Sequence, residues 1–194
     1  MSGQRRYFWP LLIVVAVVQS AALFKIVYDK DHLLKIGREI TMPVQPLDPR
    51  DVFRGDYVTL GYDISTLTKA KAPTAKLDGL LRGSTAFVTL TPQPGGQWSV
   101  SGVSEDFPAQ VPASDVVLKG RVKSAWARAD GSEKTLNVRY GIETYFVPEG
   151  TGRDLESKVR EHKIEAIVAV GADGTAAIKG LVVDGERHVD PPLL

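Results

Sequence analysis

The chain of 194 residues contains no cysteine, and this absence excludes disulfide bonds, thiolate metal sites and cysteine nucleophiles. Its three histidines, His32, His162 and His188, are too far apart in the sequence to have the spacing of metal ligands. Basic and acidic residues are balanced, 24 against 23, so the chain lacks the concentrated positive charge of a nucleic-acid-binding protein. We therefore expect no metal, no cofactor and no nucleic acid partner.

The N-terminal segment contains a long run without charge. It extends from Tyr7 to Phe24, and it reaches Tyr28 if Lys25 directs its ammonium group to the membrane surface. These roughly 22 residues span about 33 Å as a helix, which is enough to cross a bilayer. Arg5 and Arg6 precede the run, so the positive-inside rule predicts a cytoplasmic N-terminus and an exported remainder.

This run predicts a domain division. Residues 1–28 are predicted to be a cytoplasmic stub and a transmembrane anchor in the inner (cytoplasmic) membrane, and residues 29–40 a juxtamembrane stalk whose helix ends at Gly37. Residues 41–190 would form an exported, periplasmic, β-rich domain. A cleaved signal peptide is the alternative, because small residues at 20–22 offer a cleavage site.

The exported part alternates apolar and polar residues with a period of two, which predicts strands with one buried face. The predicted strands are Ser84–Leu90, Gln97–Gly102, Val116–Ala127, Thr135–Val147, Lys163–Val170 and Thr175–Val183. We expect a loop at Ser65–Arg82 and one short helix at Gly152–His162. The predicted fold is mainly β: one N-terminal transmembrane helix followed by an antiparallel β barrel or sandwich.

A compact motif occupies residues 48–62, with the sequence DPRDVFRGDYVTLGY. Asp48 is placed to cap a single helical turn, and Asp51 is placed to complete a capping box. Gly55 supplies the left-handed residue that ends the turn and begins a strand. Arg54 and Asp56 have the weakest structural explanation, and for Asp56 a ligand or catalytic role remains beside backbone capping. The candidate binding residues are Asp48, Arg50, Asp51, Arg54, Gly55, Asp56, Tyr57, Leu60 and Tyr62, and we assign no catalytic residue.

Residues 55–62 read GDYVTLGY and fit the pattern GDYxxLxY without departure. The sequence thus resembles the bacterial membrane-anchored GDYxxLxY family, whose other shared blocks resemble residues 48–51 and 145–150. The resemblance implies no established activity, and it implies that the protein is a companion of a multi-pass membrane protein.

The sequence favours a non-enzymatic accessory or binding domain at the membrane, with an integral-membrane protein as partner. This hypothesis depends on the single anchor and on the lack of a convincing set of nucleophile, base and orienting group.

Two other functions remain open. In a signal-peptidase-like protease, Thr41 would be the nucleophile and Lys119 or Lys123 the desolvated base. In a glycan-binding or glycan-cleaving domain, aromatic side chains would form a sugar platform and two carboxylates would do the chemistry. The aromatic residues are Tyr57, Trp98, Trp126, Tyr140 and Tyr145, and the carboxylates are Asp56 and Glu143.

Overall fold

The computed structural model describes residues 4–46, 57–71, 77, 79–127, 134–147, 158, 161 and 164–191. Within these residues one long helix, α1 (Gln4–Ile36), precedes twelve strands. The strands are β1 (Arg38–Pro43), β2 (Gln45–Pro46), β3 (Tyr57–Gly61), β4 (Thr66–Thr68), β5 (Thr85–Pro92), β6 (Trp98–Ser104), β7 (Val116–Ala127), β8 (Lys134–Arg139), β9 (Thr144–Phe146), β10 (Ile164–Val170), β11 (Ala176–Val183) and β12 (Glu186–Val189).

Helix α1 joins the uncharged run and the polar extension without interruption. Its stretch from Trp9 to Ile36 is long and apolar enough to cross a membrane. Every side chain from Trp9 to Lys30 is exposed, so the described part of the domain covers none of the apolar run. The helix therefore has the properties of a membrane anchor or of a signal sequence.

The junction between helix and domain is tight. The amide of Gly37 donates to the carbonyl of Leu33 at 2.8 Å and so ends α1, as the sequence predicted. A Cβ at position 37 would lie 2.5 Å from that carbonyl oxygen and 3.2 Å from Cβ of Ala169, so only glycine fits here. The stalk ends earlier than residue 40, because β1 already begins at Arg38 and pairs with β10.

The strands form three antiparallel sheets. The first has the order β1-β10-β11-β12, the second β4-β8-β7-β5-β6, and the third β2-β3-β9. Inward side chains from all three contribute to one hydrophobic core, in which Leu60, Leu118 and Ile164 are almost completely buried. The prediction of a mainly β, antiparallel fold is confirmed.

Two predicted segments differ from the structure. The strand predicted at Thr135–Val147 is divided into β8 and β9, because Gly141 takes a φ of +84° that turns the chain between them. As a result Phe146, which uninterrupted alternation would place on the same face as the buried Leu136 and Ile142, is 77% exposed. The loop predicted at Ser65–Arg82 contains β4, whose Leu67 is buried. The helix predicted at Gly152–His162 lies outside the described residues, apart from Lys158 and Glu161.

Candidate functional site

Strand β3 carries the described part of the motif. Tyr57 begins the strand and is half-buried, Leu60 is completely buried, and Tyr62 follows the strand in a buried position. The other candidate residues lie outside the described residues, so they remain predictions: Asp48, Arg50, Asp51, Arg54, Gly55 and Asp56.

Tyr62 takes part in a reciprocal pair of hydrogen bonds. Its hydroxyl donates to the carbonyl of Ile142 at 2.8 Å, and the hydroxyl of Tyr140 donates to the carbonyl of Ile64 at 2.8 Å. Burial raises the pKa of both phenols, and the nearby carboxylate of Glu143 raises it further. Both tyrosines therefore stay protonated and fasten the turn after β3 to the bend before β9.

Glu143 holds that bend in place. Its carboxylate accepts hydrogen bonds from the backbone N–H of Tyr140 at 2.6 Å and of Gly141 at 3.0 Å. The backbone carbonyl of Glu143 accepts the N–H of Leu60 at 2.9 Å. Since Leu60 and Tyr62 are buried in this network, their side chains stabilise the core.

Among the three described candidate residues of the motif, Tyr57 is the one that reaches the surface. Its ring lies 6.3 Å from the ring of Phe146, between centroids, and the planes are tilted by 56°. Next to this pair, the hydroxyl of Tyr145 donates to a carboxylate oxygen of Asp190 at 2.8 Å, and burial together with this bond raises the pKa of Tyr145. The start of the motif strand therefore carries an aromatic pair at the surface of the domain.

The residues of the protease alternative are not arranged for that chemistry. Thr41 lies half-buried in β1, with Ile167 as its backbone partner in β10. Lys119 and Lys123 are both exposed on β7. A lysine that acts as a general base has to be removed from solvent, and both of these side chains are exposed.

The sugar platform of the glycan alternative is dispersed. Trp98 begins β6 opposite Pro92, whereas Trp126 lies near the other end of the same sheet, opposite Thr135. The twelve residues of β7 separate these ends by about 40 Å. Tyr140 is buried in the core, and the carboxylate of Glu143 is used within the bend. These groups therefore do not form one surface.

A groove lies beside α1, and the sequence did not predict it. Its volume is about 980 Å³, and its lining comes from the last turns of α1, the loop between β6 and β7, and the turn between β10 and β11. Ile26 and Leu33 lie on the helical wall, and Phe107 and Val111 lie on the loop. The floor and walls are thus mainly apolar.

Arg38 ties the loop wall to the end of the helix. Its guanidinium donates to the carbonyls of Ala113 at 2.8 Å, Ser114 at 2.7 Å and Asp115 at 2.8 Å. Three consecutive carbonyls on one guanidinium fix both position and orientation, because the donor fork is planar. The groove therefore has a firm outer wall.

The rim of the groove carries carboxylates that are already bound. Asp173 accepts hydrogen bonds from the hydroxyl of Thr175 at 2.6 Å and from its N–H at 3.0 Å, and these bonds lower the pKa of Asp173. Asp115 accepts a hydrogen bond from the hydroxyl of Thr91 at 2.8 Å. Across the described ranges, no three acidic or histidine side chains converge as a metal site would require.

The comparison with protein families agrees with the motif. The family model described as "GDYXXLXY protein" matches residues 19–181, which is most of the chain. The chain belongs to the GDYXXLXY family. The buried Leu60 and Tyr62 give the GDYXXLXY pattern a structural basis, because both residues hold β3 against the bend at 140–143.

Other similarities are limited. The chain is similar to the tryptophan synthase alpha chain of Natronomonas pharaonis, with 32% identity over 80 residues. That alignment covers 40% of this GDYXXLXY protein and 28% of the relative, so we transfer no activity from it. No solved structure shows a significant match to the chain.

Proposed function

We propose that this GDYXXLXY protein is a non-enzymatic accessory domain of the bacterial inner membrane. In this proposal α1 is an uncleaved anchor with a cytoplasmic N-terminus, the β domain lies in the periplasm, and the domain binds an integral-membrane protein. The observation that carries the proposal is the continuity of α1 from the apolar run into the domain.

That continuity restricts where the domain can act. Leu33 is buried where the helix meets the sheet, and it follows Tyr28, the last residue of the apolar run, by five helical residues. Five residues correspond to about 8 Å of helix, so an anchored domain stays close to the bilayer surface. A domain held in this way favours partners that are themselves embedded in the membrane.

The topology is tested by adding protease to spheroplasts that contain the full chain. We expect the protease to remove the domain, because the arginines at 5 and 6 keep the N-terminus inside. Protection of the domain would contradict the orientation. A mature N-terminus near Leu23 would contradict the uncleaved anchor.

The accessory role is tested by purifying the full chain in detergent. We expect one integral-membrane protein to co-purify in constant ratio in two different detergents, and its absence from both would contradict the proposal. Thr41→Val and Lys119→Met should retain this protein at the level of the unmodified chain. If either variant abolished a proteolytic activity while leaving the melting temperature unchanged, the protease alternative would replace the proposal.

A further inference from the structure

Gln19 is a polar residue in the middle of the apolar run. It lies within about 2 Å of the midpoint between Tyr7 and Tyr28 along the helix axis. Its side chain is exposed, and no other group in the described part of the chain forms a hydrogen bond with its amide. Hydrocarbon offers no hydrogen-bond partner, so an amide at this depth favours contact with another polar side chain.

The face of α1 that carries Gln19 has the pattern of an interhelical contact. At about 100° per residue, the residues that lie within about 60° of Gln19 and within two turns of it are three, four or seven positions away along the chain. They are Leu12, Val15, Ala16, Ala22, Leu23 and Ile26. Ala22 is small enough to let a neighbouring helix approach closely. We call these residues together with Gln19 the seam.

The seam continues into the groove. Ile26 belongs to both, and Leu33, on the same face two turns later, lines the groove as well. The opposite wall contains Phe107 and Val111, so the seam leads from mid-membrane into a mainly apolar groove outside it, which Lys30 on the same face also lines. A volume of about 980 Å³ corresponds to roughly two turns of a helix that is about 10 Å in diameter.

We propose that the seam and the groove bind one transmembrane helix of the integral-membrane partner. That helix crosses the bilayer beside α1, places its own hydrogen-bonding side chain against Gln19, and extends about two turns into the groove. The inference rests on the proposed function, and it adds the surface and the kind of segment that this surface recognises.

The domain position argues against a second copy of the chain as the occupant. At its outer end the seam face borders the groove, whose opposite wall belongs to the domain of the same chain. In a symmetric parallel pair each copy would bring its own domain over this face, and the two domains would overlap. Lipid chains could fill the apolar part of the groove, but they leave the amide of Gln19 without a partner.

The occupant is identified by photo-cross-linking in cells that express the full chain. p-Benzoylphenylalanine is placed at Ala22 on the seam or at Phe107 in the groove, and at Val17 or Phe24 as controls. The controls lie about 140–160° from Gln19 around the helix. We expect the same integral-membrane protein at both test positions and neither control position. A product of two copies of this chain, or adducts with lipid alone, would overturn the proposal.

The hydrogen bond is tested in the same assay. Gln19→Leu should lower the yield of the cross-linked product at Phe107 roughly three- to thirtyfold, and Gln19→Asn should restore most of it because the amide remains. Val17→Leu is the matched control at similar depth and should change nothing. An unchanged yield with Gln19→Leu would overturn the inference.

The two proposals fail in different ways. If a partner co-purifies but is captured equally from Val17 and Ala22, the accessory role stands and the seam is wrong. If no integral-membrane protein co-purifies and none is captured at any position, both proposals are overturned.

Discussion

The motif strand β3 and the base of the domain, by which we mean the end that meets α1 and contains the groove, differ in how completely they are packed. Around β3, Leu60 is fully buried and Tyr62 and Tyr140 satisfy two backbone carbonyls. At the base, Phe107 is 42% exposed and Ile26 is 61% exposed beside an open groove. One region is complete in this chain, and the other has apolar surface that is not covered by the described part of the molecule.

This difference separates the described residues of the family motif from the surface proposed for binding. Leu60 and Tyr62 have roles in the core that would constrain them whatever the domain binds. Of the motif residues that the structure describes, 57–62, none belongs to the seam or the groove. The described part of the motif therefore belongs to the core of the fold, whereas the proposed binding surface lies at the base of the domain.

The largest expected effect is on the packed region. Leu60→Ala should lower the free energy of unfolding by about 2–5 kcal/mol, because it removes contacts from a filled core. Leu81 is 65% exposed, so Leu81→Ala is the matched control and should change stability by less than about 0.5 kcal/mol. Denaturant unfolding of the full chain in detergent measures both. Equal losses would mean that β3 is not packed as described.

Alkaline pH should weaken the same region. The pKa of the buried phenols of Tyr62 and Tyr140 is raised above the unfolded value of about 10. Their contribution to the free energy of unfolding is therefore complete below pH 10, and it is lost as the pH rises above that value. At pH 11 the loss should be about 1.4 kcal/mol for each phenol. Melting temperatures of the unmodified chain and of Tyr62→Phe between pH 8 and 11 measure it. The variant should lose less, and identical curves would contradict the burial.

Removal of one hydroxyl at neutral pH should have a smaller effect. Tyr62→Phe leaves the carbonyl of Ile142 without its donor, which should cost about 1–3 kcal/mol. Tyr57→Phe is the control, because Tyr57 is half-exposed at the edge of the strand. If both variants unfold at the same denaturant concentration, the reciprocal bonds contribute nothing measurable.

The smallest expected effect is at the base. Glu39 in β1 bonds to Arg187 and lies 3.2 Å from Lys179, and the hydrogen bond from Arg187 is the main cause of its lowered pKa. The stabilisation that Glu39 gains from these two cations is present above the unfolded pKa of about 4.5, and it is lost as the pH falls below that value. Glu39→Gln should cost less than about 1 kcal/mol at pH 7 and almost nothing at pH 3. Glu165→Gln, exposed on β10, is the control, and a larger loss with that variant would contradict the assignment.

Local patterns in the sequence predicted the longer strands and the end of the helix, but not the short strands β1, β2, β4 and β12. The strand Val116–Ala127 has the predicted bounds, and the helix ends where Gly37 predicted its end. The break at Gly141 was missed in the predicted strand, because alternation continues through it and only the positive φ interrupts the strand. Strand β4 was missed because three residues are too few to establish a period.

The groove was beyond prediction for a different reason. Its walls come from segments that are far apart in the chain, and the bonds of Arg38 reach 75 to 77 residues along the sequence. Neither composition nor periodicity contains information on such distant pairs. Gln19 is apparent in the sequence, but the groove at the outer end of its helix face is seen only in the structure.

The grip of Arg38 on three carbonyls also has a mechanical consequence. Arg38 directly follows the helix end at Gly37 and holds the loop wall through these bonds. We therefore expect α1 and the groove to tilt together as one rigid unit. Transmembrane helices adjust their tilt to the thickness of the bilayer. A change of about 10° would move a point about 40 Å from the pivot by about 7 Å. If α1 is the uncleaved anchor proposed above, bilayer thickness would thus set the height and tilt of the domain, while the shape of the groove stays constant.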